Sequence, residues 1–200
     1  MSVGETVVVF VSIILGIALG DLLLSTHRLL RARERVEWHW VTPALAFFML
    51  MNIIAFWWAS FNWYRELADF SISDFLPDVA VFVFVFLGAA AVLPDEIPKG
   101  RLSLRDFYFR EARYFWSLQI LLVIALIVNG FLRRDPGAGF GAFLVGELNN
   151  IVGLSLMALL LVTKRSWVHY AVIAFIVVTV GSSYLITTIS PNRVVTPLPL

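Results

Sequence analysis

Residues 6–24 read TVVVFVSIILGIALGDLLL, a run with one charge, Asp21. As a helix it is about 28 Å long, the depth of a bilayer's hydrocarbon layer. A core helix of a water-soluble protein needs a polar face, and this run has none. Residues 1–6 carry Glu5 but no Lys or Arg. The basic flank of a secretory leader is therefore missing, and the segment is expected to be a retained span rather than a cleaved one.

Working outward, five more apolar runs follow: Val41–Trp63, Leu76–Leu93, Arg113–Leu132, Phe140–Val162 and Trp167–Ile189. Charged residues or Pro and Gly punctuate them. Over the 200 residues, 60% are hydrophobic, 14% are charged and mean hydropathy is +0.87. Soluble domains carry roughly 45–50% and about 25% respectively. The expected fold is all-α: a single polytopic domain over residues 1–200, with six transmembrane helices in one bundle. Net charge +1 offers no basic surface for nucleic acid. The absence of cysteine removes disulfides, thiolate metal sites and thiol catalysis.

Basic residues orient the bundle. Arg28, Arg31, Arg33 and Arg35 follow the first span. Lys99, Arg101, Arg105, Arg110 and Arg113 separate the third from the fourth, and Lys164 and Arg165 the fifth from the sixth. The other side holds Arg65, Arg133, Arg134 and Arg193. Eleven against four in short loops puts the richer side in the cytoplasm and both termini outside. Trp38, Trp40, Trp116 and Trp167 are expected at the cytoplasmic edge and Trp57, Trp58 and Trp63 at the outer one, forming an interfacial belt.

The first helix is expected to continue past the membrane through Trp38, laying Arg28, Arg31, Arg33 and Arg35 against lipid phosphates. Ser103–Leu104–Arg105–Asp106 has the spacing of a helix cap. An interfacial helix over residues 103–115, with alternating basic and aromatic residues, should run into span four.

Polar groups inside the spans are the candidate functional residues, because each needs a partner, water or a proton. Asp21 has Ser25 and Arg28 below it on one helical face, a local ladder. Glu147 lies about 10 Å inside span five, bordering a face made of Gly146, Asn149, Asn150 and Gly153. That face suits either a tight polar helix contact or a proton- or cation-handling site. Asn52, Gln119, Thr179, Ser182, Ser183 and Thr187 are available from other spans. Ordered by depth, with Asp21 and Gln119 inward, Asn52, Asn150 and Thr179 central, and Glu147 and Ser183 outward, they would make a path. Gly16 and Gly20 form a small-xxx-small packing motif.

Catalysis finds little support. His27, His39 and His169 fall at cytoplasmic membrane edges. A metal site would have to combine them with Asp21 or Glu37, and no metal or other cofactor is expected. Gly153–Leu154–Ser155–Leu156 and Gly181–Ser182–Ser183–Tyr184 do not make a serine-protease motif, and no phosphate loop, Gly-x-Gly-x-x-Gly or His-Glu-x-x-His occurs.

LGIALGDLLL at 15–24, HRLLRAR at 27–33, WHW at 38–40, FWW at 56–58, LPD at 93–95 and LRDFYFR at 104–110 together resemble a group of small, uncharacterised bacterial multi-pass inner-membrane proteins. The resemblance covers about the first 120 residues. It implies a bacterial cytoplasmic membrane and no activity. Three functional readings follow from the residues. The first is a channel or transporter for protons or ions using Glu147, Asn149, Asn150 and Asp21. The second is a non-catalytic subunit or assembly factor of a larger membrane complex, or a homo-oligomer. The third is a lipid or apolar-ligand sensor at Trp57 and Trp58. Lipids are the expected partners in all three.

Overall fold

A computed structural model describes residues 3–65, 71–135, 137 and 139–186. Seven helices occur among them: α1 (Val3–Arg31), α2 (Val41–Tyr64), α3 (Ile72–Ala91), α4 (Leu104–Leu132), α5 (Phe140–Gly146), α6 (Leu148–Val162) and α7 (Ser166–Ile186). Two short strands, β1 (Val36–Glu37) and β2 (Leu102–Ser103), pair in parallel, Val36 opposite Leu102. Five helices are long and apolar enough to cross a membrane, and α5 with α6 adds a sixth crossing if that bent pair counts as one. The tail from Pro191, Arg193 and Thr187 lie outside the described residues.

Helix boundaries track the local chemistry. Ser103 caps α4, its hydroxyl accepting from the Asp106 N–H at 3.3 Å. Ser71 caps α3 by accepting from Ser73. Cap and span are one continuous helix in α4, as expected. α1 stops at Arg31, short of the expected Trp38: the chain tightens into a 3-10 turn at Arg33–Arg35 and then enters β1. The pairing of β1 with β2 takes up the backbone groups that a longer helix would have bonded internally.

The helices close a ring in the order α1, α3, α4, α6, α7, α2, with α2 also touching α3 and α4. On α1, Val11, Leu15, Ala18, Leu22, Ser25 and Leu29 are buried, a spacing of alternating four and three that keeps one stripe on its neighbours. The opposite stripe, including Ile13, Ile17, Leu23, Leu24 and Leu30, is exposed and apolar. Only 22–39% of each span's most apolar window is buried in the protein. Where the surroundings are as apolar as the side chains, burial supplies little drive, and close packing and internal hydrogen bonds must hold helices together.

One close approach is explicit. Gly88 of α3 faces the Gln119 amide of α4, and a Cβ there would also lie 3.1 Å from Met49 Cε of α2. The expected packing glycines behave differently: at Gly16, Gly20, Gly146 and Gly153 an added Cβ meets nothing within 4 Å. Among the described residues, the small-residue face of α1 makes no close approach to another helix.

Gly88→Val should lower stability in detergent by about 1–3 kcal/mol, the usual cost of overpacking. Gln119→Ala in the same chain should recover part of the loss, and thermal unfolding of the single and double variants measures the coupling.

Candidate functional site

The two ends of the bundle differ in chemistry. One end, here the basic end, carries the β1–β2 pair and the arginines after α1. At this end Thr42 of α2 donates to the Leu104 carbonyl at 3.1 Å. Trp116 Nε1 donates to the Tyr108 hydroxyl at 3.0 Å, and that oxygen lies 2.7 Å from His169 Nδ1. His169 Nε2 lies 3.2 Å from the Thr163 carbonyl. With its proton on Nε2, His169 closes the series: Trp116 donates to Tyr108, Tyr108 to Nδ1, and Nε2–H to Thr163.

This network corrects one expectation. Trp116 has no exposed surface and serves as an internal donor rather than part of a lipid-facing belt. His169, in the first turn of α7 at this same end, is buried. Trp38, Trp40, Trp57, Trp63 and Trp167 are exposed and Trp58 is half-buried. Trp57 donates to Ser12 at 3.0 Å and stacks on Phe61. Near the basic end, His39 stacks on Trp40 and packs against Tyr170. Burial, with the Arg105 guanidinium nearby, holds its imidazole below the ordinary range.

The far end contains a group that the sequence reading missed. Asp78 of α3 is buried, accepts from Asn129 of α4 and pairs with Arg133. The Arg133 guanidinium also lies over the Trp63 ring at 4.9 Å. Placing the start of span three at Leu76 left Asp78 at the membrane edge. α3 in fact starts at Ile72, which carries Asp78 about two turns inward. The signal was present: Ser71–Ile72–Ser73–Asp74 repeats the spacing of Ser103–Asp106. Asn129 and Arg133, four residues apart, form the matching face on α4.

The fifth span is not one continuous helix. α5 and α6 meet at Glu147 with a bend of 58°, and Glu147 sits at φ −91°, ψ 5°. Its N–H still reaches the Phe143 carbonyl at 3.0 Å, and its carbonyl still accepts from Ile151. One carboxylate oxygen accepts from Asn150 Nδ2 at 2.6 Å. The other lies against Gly130 of α4, 2.6 Å from where a Cβ would stand. Gly130 therefore makes the room that the Glu147 carboxylate occupies.

Beside this break, α2, α4, α6 and α7 surround a cleft of about 150 Å³. Its polar lining is Asn52, Gln119, Asn149, Asn150, Thr179 and Ser183. Gly153, Phe48, Met157 and Phe175 are among its apolar walls. These polar residues come from four helices, α2, α4, α6 and α7. The cleft lining itself is uncharged, and Glu147 reaches it through Asn150. Asn52 donates to its own-helix Phe48 carbonyl at 2.8 Å. The Ser182 and Ser183 hydroxyls both donate to the Thr179 carbonyl. Two buried polar atoms of the lining have no partner: Gln119 Nε2 and Asn150 Oδ1.

Asp21 does not belong to this group. It lies on α1, half-buried, outside the cleft lining. The ladder with Ser25 and Arg28 is not formed; Arg28 instead donates to the Asp95 carbonyl at 3.1 Å. Gly146 falls on the α5 side of the break, separated from Asn149, Asn150 and Gly153. Among the described residues no three His, Asp or Glu side chains gather as a metal site.

No family model, no curated protein and no solved structure matches this chain.

Removing Arg133 strands the Asp78 carboxylate. Arg133→Ala should cost about 1–3 kcal/mol, reduced by the guanidinium's partial exposure. Pairing Asp78→Asn with Arg133→Gln should recover most of the loss, as read by unfolding in detergent.

Proposed function

We propose that the chain is a six-span protein of a bacterial cytoplasmic membrane, with both termini outside, that passes protons or small cations through the cleft beside Glu147. The observation that carries the reading is the helix break at a carboxylate next to a polar cleft. In apolar surroundings irregular backbone is tolerated only where it is buried in protein or lines a cavity. Broken helices at mid-depth are where ion and substrate sites form in membrane transporters.

The chemistry of the lining fits a positively charged or proton-bearing species. Asn150 commits its amide N–H to the Glu147 carboxylate, which leaves its carbonyl oxygen as an acceptor without a partner. Thr179 and Ser183 add hydroxyls on the facing helix. The lining contains no Lys or Arg to repel a cation. In this reading Glu147 is the titrating or charge-balancing group, and Asn150 connects it to the cleft. The orientation rests on the eleven-to-four split of basic residues.

A subunit role in a larger assembly has one observation in its favour. Among the described residues, nothing lies within 4 Å of where a Cβ would stand at Gly16 or Gly20 of α1. In that case the protein would purify with a second membrane component and carry no flux alone.

Purified protein in liposomes should pass protons or monovalent cations above the empty-vesicle rate, and Glu147→Gln should cut that flux by at least about tenfold. Folded, inserted protein without flux, or flux indifferent to Glu147→Gln, rejects the assignment. The natural lack of cysteine allows a separate check of orientation. In intact cells an impermeant thiol reagent should label Arg134→Cys, and should label Lys99→Cys only after the membrane is opened.

A further inference from the structure

At the basic end, α1 terminates in arginines spaced so that three of them converge. Arg28, Arg31 and Arg35 fall at i, i+3 and i+7, and the 3-10 turn that ends α1 keeps Arg35 on the side of the other two. The Arg35 N–H bonds the Ala32 carbonyl at 2.8 Å to make that turn. The three guanidinium-bearing side chains, with Ala32 and Ile97, line an open cleft of about 440 Å³. Arg28 is anchored by its bond to the Asp95 carbonyl, which leaves the rest of its donor fork available. Among the described residues the Arg31 and Arg35 side chains have neither a hydrogen bond nor an ion pair. Arg33 is not part of the lining.

We propose that this cleft binds one phosphomonoester group per chain, held by Arg28, Arg31 and Arg35 above an apolar floor of Ala32 and Ile97. Three guanidinium forks present donors without a single acceptor side chain among the residues that line the cleft. A phosphomonoester supplies about −1.5 to −2 charge and three acceptor oxygens, which matches that donor set. A phosphodiester headgroup carries one charge and is the poorer match. The site is separate from the Glu147 cleft and does not depend on the transport reading. The group can come from an anionic lipid headgroup such as phosphatidic acid or from a soluble phosphate ester, and both sources present the same chemistry.

The test uses the full chain in nanodiscs containing phosphatidic acid or phosphatidylglycerol, with bound lipid counted by native mass spectrometry. Glycerol 3-phosphate serves as a soluble competitor. The expected result is one phosphatidic acid retained per chain in preference to phosphatidylglycerol. Retention should fall on the order of tenfold in Arg31→Gln/Arg35→Gln, because each lost charge-assisted pair is a strong one. The control Arg33→Gln/Arg113→Gln removes the same charge outside the cleft and should retain the lipid. Arg28 stays in both variants, so the link to the 95–97 loop is kept, and unfolding curves verify that both fold. Displacement by glycerol 3-phosphate at low concentration identifies a soluble ester as the source. Persistence of the lipid identifies the headgroup. Equal retention of the two lipids, or equal loss in both variants, overturns the site in favour of diffuse attraction.

Discussion

A polar group that has left water must be answered from within the protein, and in this bundle most of the answers come from α4. Its first residue supplies the carbonyl for Thr42 of α2. One turn later Tyr108 meets His169 of α7. Gln119 lies against Gly88 of α3, Asn129 and Arg133 hold Asp78, and Gly130 leaves room for the Glu147 carboxylate. The 29 residues of α4 thus set the register of α2, α3, the α5–α6 pair and α7 against one reference. With little hydrophobic drive between helices in lipid, such directional contacts decide which faces pair.

What could be read from sequence follows from this division. Existence and approximate limits of the spans depend on runs of about twenty apolar residues, a property of composition along the chain. The helices at 41–64, 104–132 and 166–186 lie where those runs predict. Helix ends depended on caps. Ser103 was legible because Asp106 stands three residues on, and Ser71 with Asp74 carried the same sign but lay outside the apolar run. That omission hid Asp78, since a shift of four residues at a helix start is the difference between an edge and the interior. Pairing of faces was less accessible. Asn52, Gln119, Asn150, Thr179 and Ser183 could be recognised as polar residues inside the spans and ordered by depth, and they share a cleft. Gly16 and Gly20 carried the usual packing signature, while the close approaches formed at Gly88 and Gly130. Whether a glycine is a contact depends on what the other helix places opposite it, and no single segment contains that information.

The bend at Glu147 shows how one residue can serve two neighbours. Its carboxylate is held by Asn150 from the following turn and by the empty space of Gly130 from α4. Backbone and side chain are therefore constrained together. A continuous helix through residue 147 would swing α5 away from its present line, and the carboxylate would lose the notch it sits in. Gly139, Gly141 and Gly146 make the segment before the bend the most glycine-rich in the chain. That composition lowers the cost of ending one helix and starting another within a few residues.

The two-residue ladder between Val36–Glu37 and Leu102–Ser103 has a mechanical consequence. It couples the segment leaving α1 to the residue that caps α4, and Thr42 fastens the start of α2 to the same turn. Sliding α1 or α2 along α4 would shear that ladder and the Thr42 bond at once. Among the described residues α7 has no such ladder at this end; it meets α4 through Tyr108 and Phe109 and the start of α2 through His39 and Trp40 packed on Tyr170. At this end, then, α1, α2 and α4 are fastened through backbone groups, whereas α7 is held by side chains.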